Sequence, residues 1–248
     1  MSAPLPNKAM VLAAGKGTRM RPLTDNRPKA LVEVDGKPLI DHALDHVAGA
    51  GINEAVVNVH YLAQQLIAHL DARSGAPVTT ISDESGELLE TGGGLVKALP
   101  LLGDGPFFVV NGDAIWTNGG ENALHRLAKS FDPDRMDALL LLIPREEAVE
   151  HPGNGDFFLY LDDHQDTGTL SWRGNAATAP YVYTGLHVTQ PALFADSPSG
   201  AFRLTDLWKR ASEAGRLHGL VHQGRWHDVG TPAGRDAAEA MLQKQRKA

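Results

Sequence analysis

From Ala9 to Ile143, short apolar runs alternate with stretches of helical period, and this restricts the fold more than any other feature of the sequence. Ala9–Ala14, Ala55–His60, Pro77–Ile81, Phe107–Val110 and Ala138–Ile143 read as strands. Pro38 opens a helix that runs to Ala50, with Gly51 just past its end. Tyr61–Leu70 and Glu121–Ser130 read as further helices. Asp83–Gly94 is polar and glycine-rich and reads as a loop that feeds a helix near Leu95–Leu99. Strand–helix alternation of this kind predicts an α/β fold with a Rossmann-like, mostly parallel sheet flanked by helices. Ligands of such sheets bind beyond the carboxyl ends of the strands.

After Pro144 the pattern changes. Asp156–Leu161, Gly168–Trp172 and Ala179–Val188 are strand candidates with no helices between them, which predicts a small antiparallel extension over one side of the site. Leu204–Ala214 reads as helix, Leu217–His222 as strand, Trp226–Thr231 as a turn and Pro232–Lys247 as a closing helix. No linker or repeat interrupts the chain. One domain over residues 1–248 is expected, with a nucleotide-binding half to about 144, a second half at about 145–231 and a terminal helix over 232–248.

The first strand gives out into Gly15-Lys16-Gly17-Thr18-Arg19, followed by Pro22-Leu23-Thr24 and Pro28-Lys29-Ala30-Leu31. Two glycines let the backbone turn sharply and bring N–H groups close to phosphate oxygens. Arg19 adds a planar fork of donors and Lys29 a compact charge. Gly-x-Gly alone recurs widely, and an ordinary glycine turn before a solvated basic loop would look the same. Asp113, after the strand that ends in Asn111-Gly112, can project into the same crevice and hold a hard cation, or it can be a turn aspartate.

Composition narrows the field. The chain has 248 residues, 42% hydrophobic and 21% charged, with a net charge of −7. That balance gives no general attraction to a polyanion, so nucleic acid is not an expected partner. There is no cysteine, hence no thiolate metal site or thiol nucleophile. No apolar run reaches the length of a membrane span, and Met1–Lys8 has no apolar signal core, so a cytoplasmic protein without membrane contact is expected. His42 and His46 lie four apart on the first helix but lack a third ligand at useful spacing, and they read as a solvated helix face.

The whole string from Gly15 to Leu31 resembles the signature of the sugar-1-phosphate nucleotidylyltransferases, with Gly-x-Gly-Thr-Arg, Pro-Leu-Thr and Pro-Lys-x-Leu all filled. The resemblance implies a Mg²⁺-dependent transfer of a nucleotidyl group to a sugar 1-phosphate. It implies Arg19 and Lys29 as catalytic cations, and Asp113 and Asp228, the latter in Trp226-His227-Asp228-Val229-Gly230-Thr231, as magnesium ligands. It further implies nucleotide contacts from Leu12, Ala13, Ala14, Gly15, Gly17, Thr18, Arg19 and Lys29, and, around the nucleobase, from Glu84, Glu90, Thr91, Gly92 and Gly93.

The run Leu89-Glu90-Thr91-Gly92-Gly93-Gly94 resembles the bacterial N-acetylmuramate-1-phosphate uridylyltransferase subgroup, as do Lys97–Asp104 and Asn111–Asp113. That implies UTP and N-acetylmuramate 1-phosphate as substrates and a place in peptidoglycan recycling. A guanylyl- or thymidylyltransferase acting on mannose or glucose 1-phosphate, or a non-catalytic nucleotide-sugar sensor, are the alternatives. The Glu-Lys-Pro element of many relatives, whose lysine grips the sugar phosphate, is missing. Sugar contact then falls to Asn111, Gly155, Asp156 and Thr184, with Arg173 and Arg203 as candidate replacements for the lysine. No second catalytic domain is expected, and monomer and dimer both stay open.

Overall fold

A computed structural model describes residues 5–149, 151–162 and 166–246. Part of the Met1–Lys8 segment and the end of the closing helix therefore lie outside the described residues.

The elements run in the order β1 (Lys8–Leu12), β2 (Glu33–Val34), β3 (Lys37–Pro38), α1 (Leu39–Gly49), β4 (Glu54–Val59), α2 (Ala63–Ala72), β5 (Val78–Asp83), α3 (Glu90–Leu102), β6 (Phe107–Asn111) and β7 (Ala114–Trp116). They continue with α4 (Ala123–Ser130), β8 (Ala138–Pro144), β9 (Phe157–Leu161), β10 (Thr167–Trp172), β11 (Tyr181–Thr189), α5 (Leu204–Glu213), β12 (Leu217–Val221), β13 (Trp226–Asp228) and α6 (Pro232–Arg246). Nine strands form one sheet in the order β5-β4-β1-β6-β11-β8-β12-β10-β9. The first four are mutually parallel.

The mostly parallel sheet matches the reading of the sequence, but two details differ. β11 meets the edge extension at a single pair, Tyr181 with Phe157 of β9. It inserts antiparallel between β6 and β8, in the middle of the sheet, and only β9 and β10 form the antiparallel edge. Burial explains why the run 179–188 could not be told from an edge strand: Leu186 and Val188 are fully buried, but so is the polar Thr184, while Tyr181 and Tyr183 are only partly buried. Trp226–Thr231 is not only a turn. Its first three residues pair antiparallel with β7 in a separate two-stranded ribbon.

The sheet divides the core by strand alternation. On β1, Ala9 and Val11 face a cluster with α1, α2 and α4, while Met10 faces a second with α3 and α5. In α1 the buried residues Leu39, Ile40, Ala43, Leu44 and Val47 fall on one helical stripe, which docks it against the first cluster. A third, smaller cluster joins Met20, Val32, Ile115 and Val229 to Ala238 and Met241 of α6. It clamps the loop after β1 and the strand β13 to the same helix. Arg235 of α6 also donates to the Glu33 carbonyl, and Arg246 pairs with Asp35.

The run Gly92-Gly93-Gly94 lies inside α3, which begins at Glu90, so the expected loop ends earlier. Glycine is poor in helices, so tertiary contact must decide. A Cβ on Gly92 would sit 2.3 Å from the Phe202 ring, one on Gly93 2.2 Å from the Gly200 carbonyl oxygen, and one on Gly94 2.7 Å from Glu84 Oε1. The three glycines let the helix approach the 200–204 segment on one side and Glu84 on the other. Gly93→Ala is therefore expected to cost about 1–3 kcal/mol, because a backbone carbonyl cannot yield as a side chain can. Gly105→Ala, where a Cβ meets nothing within 4 Å, is expected to stay within about 0.5 kcal/mol of the parent. Urea melts with equal slopes would measure both, and equal midpoints for the two variants would refute the packing argument.

Candidate active site

The carboxyl ends of β1, β4 and β6 open onto a cavity of about 240 Å³. Its wall includes Leu12, Ala13, Ala14, Gly15, Lys29, Glu84, Glu90, Thr91, Asn111 and Asp113, all singled out in the sequence. It also includes Ala30, Asn58, Leu88 and Gly112, which were not. Leu12 and Asn111 are register partners, and the Gly112 N–H donates to the Leu12 carbonyl at 2.9 Å. A Cβ at Gly112 would lie 2.9 Å from that same oxygen, so glycine permits the close approach that sends Asp113 out over the cavity.

The loop after β1 is folded tightly onto itself. Gly17 sits at φ +62°, and its carbonyl accepts from Thr24 Oγ1 at 2.8 Å. A Cβ there would meet Lys29 Cβ and Thr24 Cγ2 at 2.9 Å each. Gly17 thus serves the loop's closure. Neither Gly17 nor Thr18 lines the cavity; Thr18 opens the short 3-10 turn that carries Arg19 and anchors itself through the buried Met20.

Lys29 Nζ lies 2.5 Å from Asp113 Oδ2. Asp228 stands beside Asp113 because β13 pairs with β7, Asp228 opposite Ala114, and the Val229 N–H donates to the Asp113 carbonyl at 3.0 Å. The Arg19 guanidinium and Asp228 Oδ2 both close around Gly230, where an added Cβ would lie 3.2 Å and 2.8 Å from them. The four residues that sequence reading placed at the chemistry are therefore gathered into one cluster. Burial, and next the charge of Asp113, push the Asp228 carboxyl above its ordinary range, while Lys29, Arg19 and His151 pull it back.

Two adjacent carboxylates with one partly buried and held above its normal range form a donor set that a hard divalent cation would relieve. Among the described residues no cluster of three or more His, Asp or Glu offers itself as a metal site. A cation at the two aspartates would take its other ligands from water and phosphate, as Mg²⁺ commonly does. His42 and His46 do not form a solvated face. His42 Nε2 bonds the Val34 carbonyl at 2.9 Å, and His46 stacks on Trp116 at 3.9 Å, where burial drops its pKa to about 4.

Behind the cavity runs a buried polar chain. Asn58 Oδ1 accepts from the Ala13 N–H at 2.7 Å, and its Nδ2 donates to Glu84 Oε1 at 2.8 Å. Glu84 Oε2 also accepts from the Leu89 N–H at 3.4 Å. The phosphate loop and the loop before α3 are thereby held together through two side chains. The signal for Asn58 was present: a lone amide in the apolar strand Val56-Val57-Asn58-Val59 must find partners. Thr91 lines the cavity, yet its Oγ1 accepts from the Leu204 N–H at the start of α5. The Gly92 and Gly93 N–H groups go to the Phe202 carbonyl. Glu90 adopts φ +59°, an uncommon conformation for a non-glycine residue, at the cavity wall.

The residues expected at the sugar fare unequally. Asn111 lines the cavity and packs against Gly185. Thr184 does not reach it: the side chain is fully buried, its hydroxyl donates to the Leu141 carbonyl at 2.8 Å, and its carbonyl accepts from Trp226 Nε1. Asp156 Oδ2 accepts from the Tyr183 N–H at 3.0 Å, and with Gly155 it borders a different cavity shared with Trp172, Arg173 and Lys209. Arg173 is spent on the carbonyls of Gly155 and Ala176, and Arg203 is an exposed residue ahead of α5. Neither lines the main cavity.

The raised Asp228 fixes a sign. A carboxyl with a folded pKa above its unfolded value adds stability below the unfolded pKa and loses it as pH rises through the folded one. In metal-free protein Asp228→Asn is expected to raise the melting temperature at pH 7, with the gain vanishing below the ordinary aspartate range, where both states are protonated. Added Mg²⁺ should stabilise the parent and not the variant. A thermal-shift series over pH and magnesium checks both; identical magnesium responses would take Asp228 out of any metal site.

Comparison with known proteins agrees with this geometry. Residues 8–152 match the Nucleotidyl transferase family. An N-acetylmuramate alpha-1-phosphate uridylyltransferase of Caulobacter vibrioides is 49% identical over 96% of this chain and 97% of its own length. One of Neisseria meningitidis is 38% identical over 94% of this chain and 97% of its own. A UDP-glucose pyrophosphorylase solved with UDP-glucose shares the fold, with a TM-score of 0.80 at 16% identity over 96% of this chain and 98% of that one. A strand-end cavity lined by Lys29 and Asp113, with Asp228 and Arg19 clustered next to them outside its lining, thus belongs to a sugar-1-phosphate nucleotidyltransferase, and the chain is a member of the nucleotidyl transferase family.

Proposed function

We propose that this enzyme transfers the uridylyl group of UTP to N-acetylmuramate 1-phosphate, giving the UDP-sugar and pyrophosphate. The observation that carries the reaction is the convergence of Lys29 and Arg19 with Asp113 and Asp228 beside a strand-end cavity. The near full-length similarity to two enzymes named for that reaction supports the substrate pair. A uridylyltransferase with this sugar serves peptidoglycan recycling in the cytoplasm. No helix among the described residues is long and apolar enough to cross a membrane, and both substrates are small anions. We take residues 1–248 as one catalytic domain, since the central sheet draws strands from both halves of the chain.

An oxygen of the sugar phosphate attacks the α-phosphorus of UTP, and the bond to the bridging oxygen of pyrophosphate breaks. The attacking oxygen is already anionic, so no strong base is needed, and catalysis is positioning with charge neutralisation. Lys29 offsets charge on the transferring phosphoryl group. Arg19 and the N–H groups at Ala14 and Gly15 hold the departing pyrophosphate. Leu88, Glu90 and Thr91 border the nucleobase, and Asn58 and Glu84 keep that border fixed to the phosphate loop. Asp113 and Asp228 would hold Mg²⁺, which supplies further neutralisation of phosphate charge when bound.

Removing one such preorganised charge costs about 10²–10³ in turnover. Lys29→Ala is expected to lose activity on that scale in a pyrophosphate-release assay while remaining folded, with a lower melting temperature because Asp113 loses its partner. A wild-type rate would remove Lys29 from this role. A panel of sugar 1-phosphates against four triphosphates tests the substrates. UTP with N-acetylmuramate 1-phosphate is expected to turn over fastest, and faster turnover of another pair would displace this assignment.

A further inference from the structure

Gly155 and Asp156 border a second cavity, of about 280 Å³, lined also by Trp172, Arg173, Gly174 and Lys209. It lies along the same edge of the sheet as the main one. Leu186 of β11 is the register partner of Val110 in β6, which brings Gly185 level with Asn111 on the wall of the main cavity. Nearer its start, β11 holds Asp156. The Tyr183 N–H donates to Asp156 Oδ2 at 3.0 Å, and the Asp156 N–H donates to the Tyr181 carbonyl at 2.7 Å. Asp156 therefore stands two strand spacings, roughly 10 Å, across the sheet from Asn111. One pyranose ring and a short substituent can span that distance.

The second cavity places a donor and an acceptor of opposite charge side by side. Gly155 stands at φ +86°, where a Cβ would lie 2.0 Å from the Ala179 carbonyl oxygen, and the Arg173 N–H donates to the Asp156 carbonyl at 2.8 Å. The Arg173 guanidinium is held by neutral groups. Its Nε donates to the Gly155 carbonyl at 2.9 Å and its Nη1 to the Ala176 carbonyl at 3.1 Å. These bonds fix its plane, and among the described residues Nη2 has no partner and no carboxylate offsets the charge. A preset, uncompensated fork of this kind matches a carboxylate. Lys209 pairs only with Asp206 at 3.3 Å, both side chains being exposed, so it adds positive charge to the cavity at little loss. Trp172 gives an apolar wall, braced by Phe157 at 4.5 Å.

The sugar phosphate belongs beside Lys29 and the two aspartates, so an anion at Arg173 comes from another part of the sugar. N-acetylmuramate carries one: a lactyl ether at C3, ending in a carboxylate, next to the acetamido N–H at C2. We infer that the second cavity is the subsite for this arm, with Arg173 holding its carboxylate, Lys209 adding charge and Asp156 accepting from the acetamido N–H. The inference rests on the uridylyl-transfer reading of the main cavity.

The test uses the full chain, UTP and two sugars: N-acetylmuramate 1-phosphate, and the same compound with its lactyl carboxylate converted to the carboxamide. The parent is expected to favour the acid over the amide by about tenfold in kcat/KM. Arg173→Gln should bring acid and amide within twofold of each other, and Arg173→Lys should keep part of the preference. Lys209→Met should reduce it as well. A loosened loop would slow both sugars alike and leave their ratio where it was. An unchanged ratio in Arg173→Gln overturns the inference, as does a parent that treats acid and amide equally. If Arg173→Gln fails to fold, the ratio in Arg173→Lys decides, and a parent-like value there overturns the inference. A parent inactive with every sugar 1-phosphate overturns the reaction and this inference together. A parent active only on sugars without a carboxylate overturns the sugar assignment and this inference, and leaves the reaction standing.

Discussion

Two carboxylates set side by side cannot both stay charged without help, and the site is arranged around that constraint. Asp113 and Asp228 meet because two three-residue strands, β7 and β13, far apart in the sequence, pair with each other. Like charges at that separation oppose folding unless cations answer them. Lys29 answers Asp113 directly, and Arg19 closes on Asp228. Burial first, and the charge of Asp113 next, still hold Asp228 above its ordinary range, so the two cations lessen the cost of the paired acids without removing it.

Holding that arrangement is the work of the small cluster under α6. Met20 follows Arg19, Val229 follows Asp228, and both are wholly buried in one set of side chains with Ile115. The cation and the acid it faces are thus each one residue away from the same patch of core. A flexible basic loop would lose binding energy on ordering. Here Gly17 lets Lys29 and Thr24 pack into the loop, and α6 covers it, so the ordering is completed on folding. The two glycines of the motif differ in kind. Gly15 borders the cavity, whereas Gly17 serves the loop's own closure.

How much of this could be read from the sequence follows from the reach of each signal. The parallel half was legible because its strands are apolar runs and its connections are short helices, both local patterns. The strand-end acid Asp113 was legible for the same reason, and the cation loop because its motif is contiguous. What was hidden depends on distant partners. Gly92–Gly94 read as a loop because helix propensity is local, while Phe202, Gly200 and Glu84, which demand the missing Cβ atoms, lie elsewhere in the chain. Thr184 read as a sugar contact because it lies in the region where relatives carry the missing Glu-Lys-Pro element, but its hydroxyl turns into the core, to the Leu141 carbonyl. His42 and His46 read as solvated because their neighbours Asp41 and Asp45 are polar, and only the fold reveals Trp116 against His46 and the Val34 carbonyl against His42.

The two sides of the cleft are therefore built on different principles. On the nucleotide side, backbone groups at strand ends make the wall, and the Asn58–Glu84 chain locks two loops together from behind. Such a wall depends on glycines and buried amides, which few substitutions preserve, and it suits a ligand part common to a family. On the other side Asn111 lines the cavity by its side chain and packs against Gly185 of the bulged strand β11. Side chains can be exchanged without moving the sheet. A UDP-glucose pyrophosphorylase keeps this fold at only 16% identity, so the sheet persists while most of the side chains it carries are exchanged.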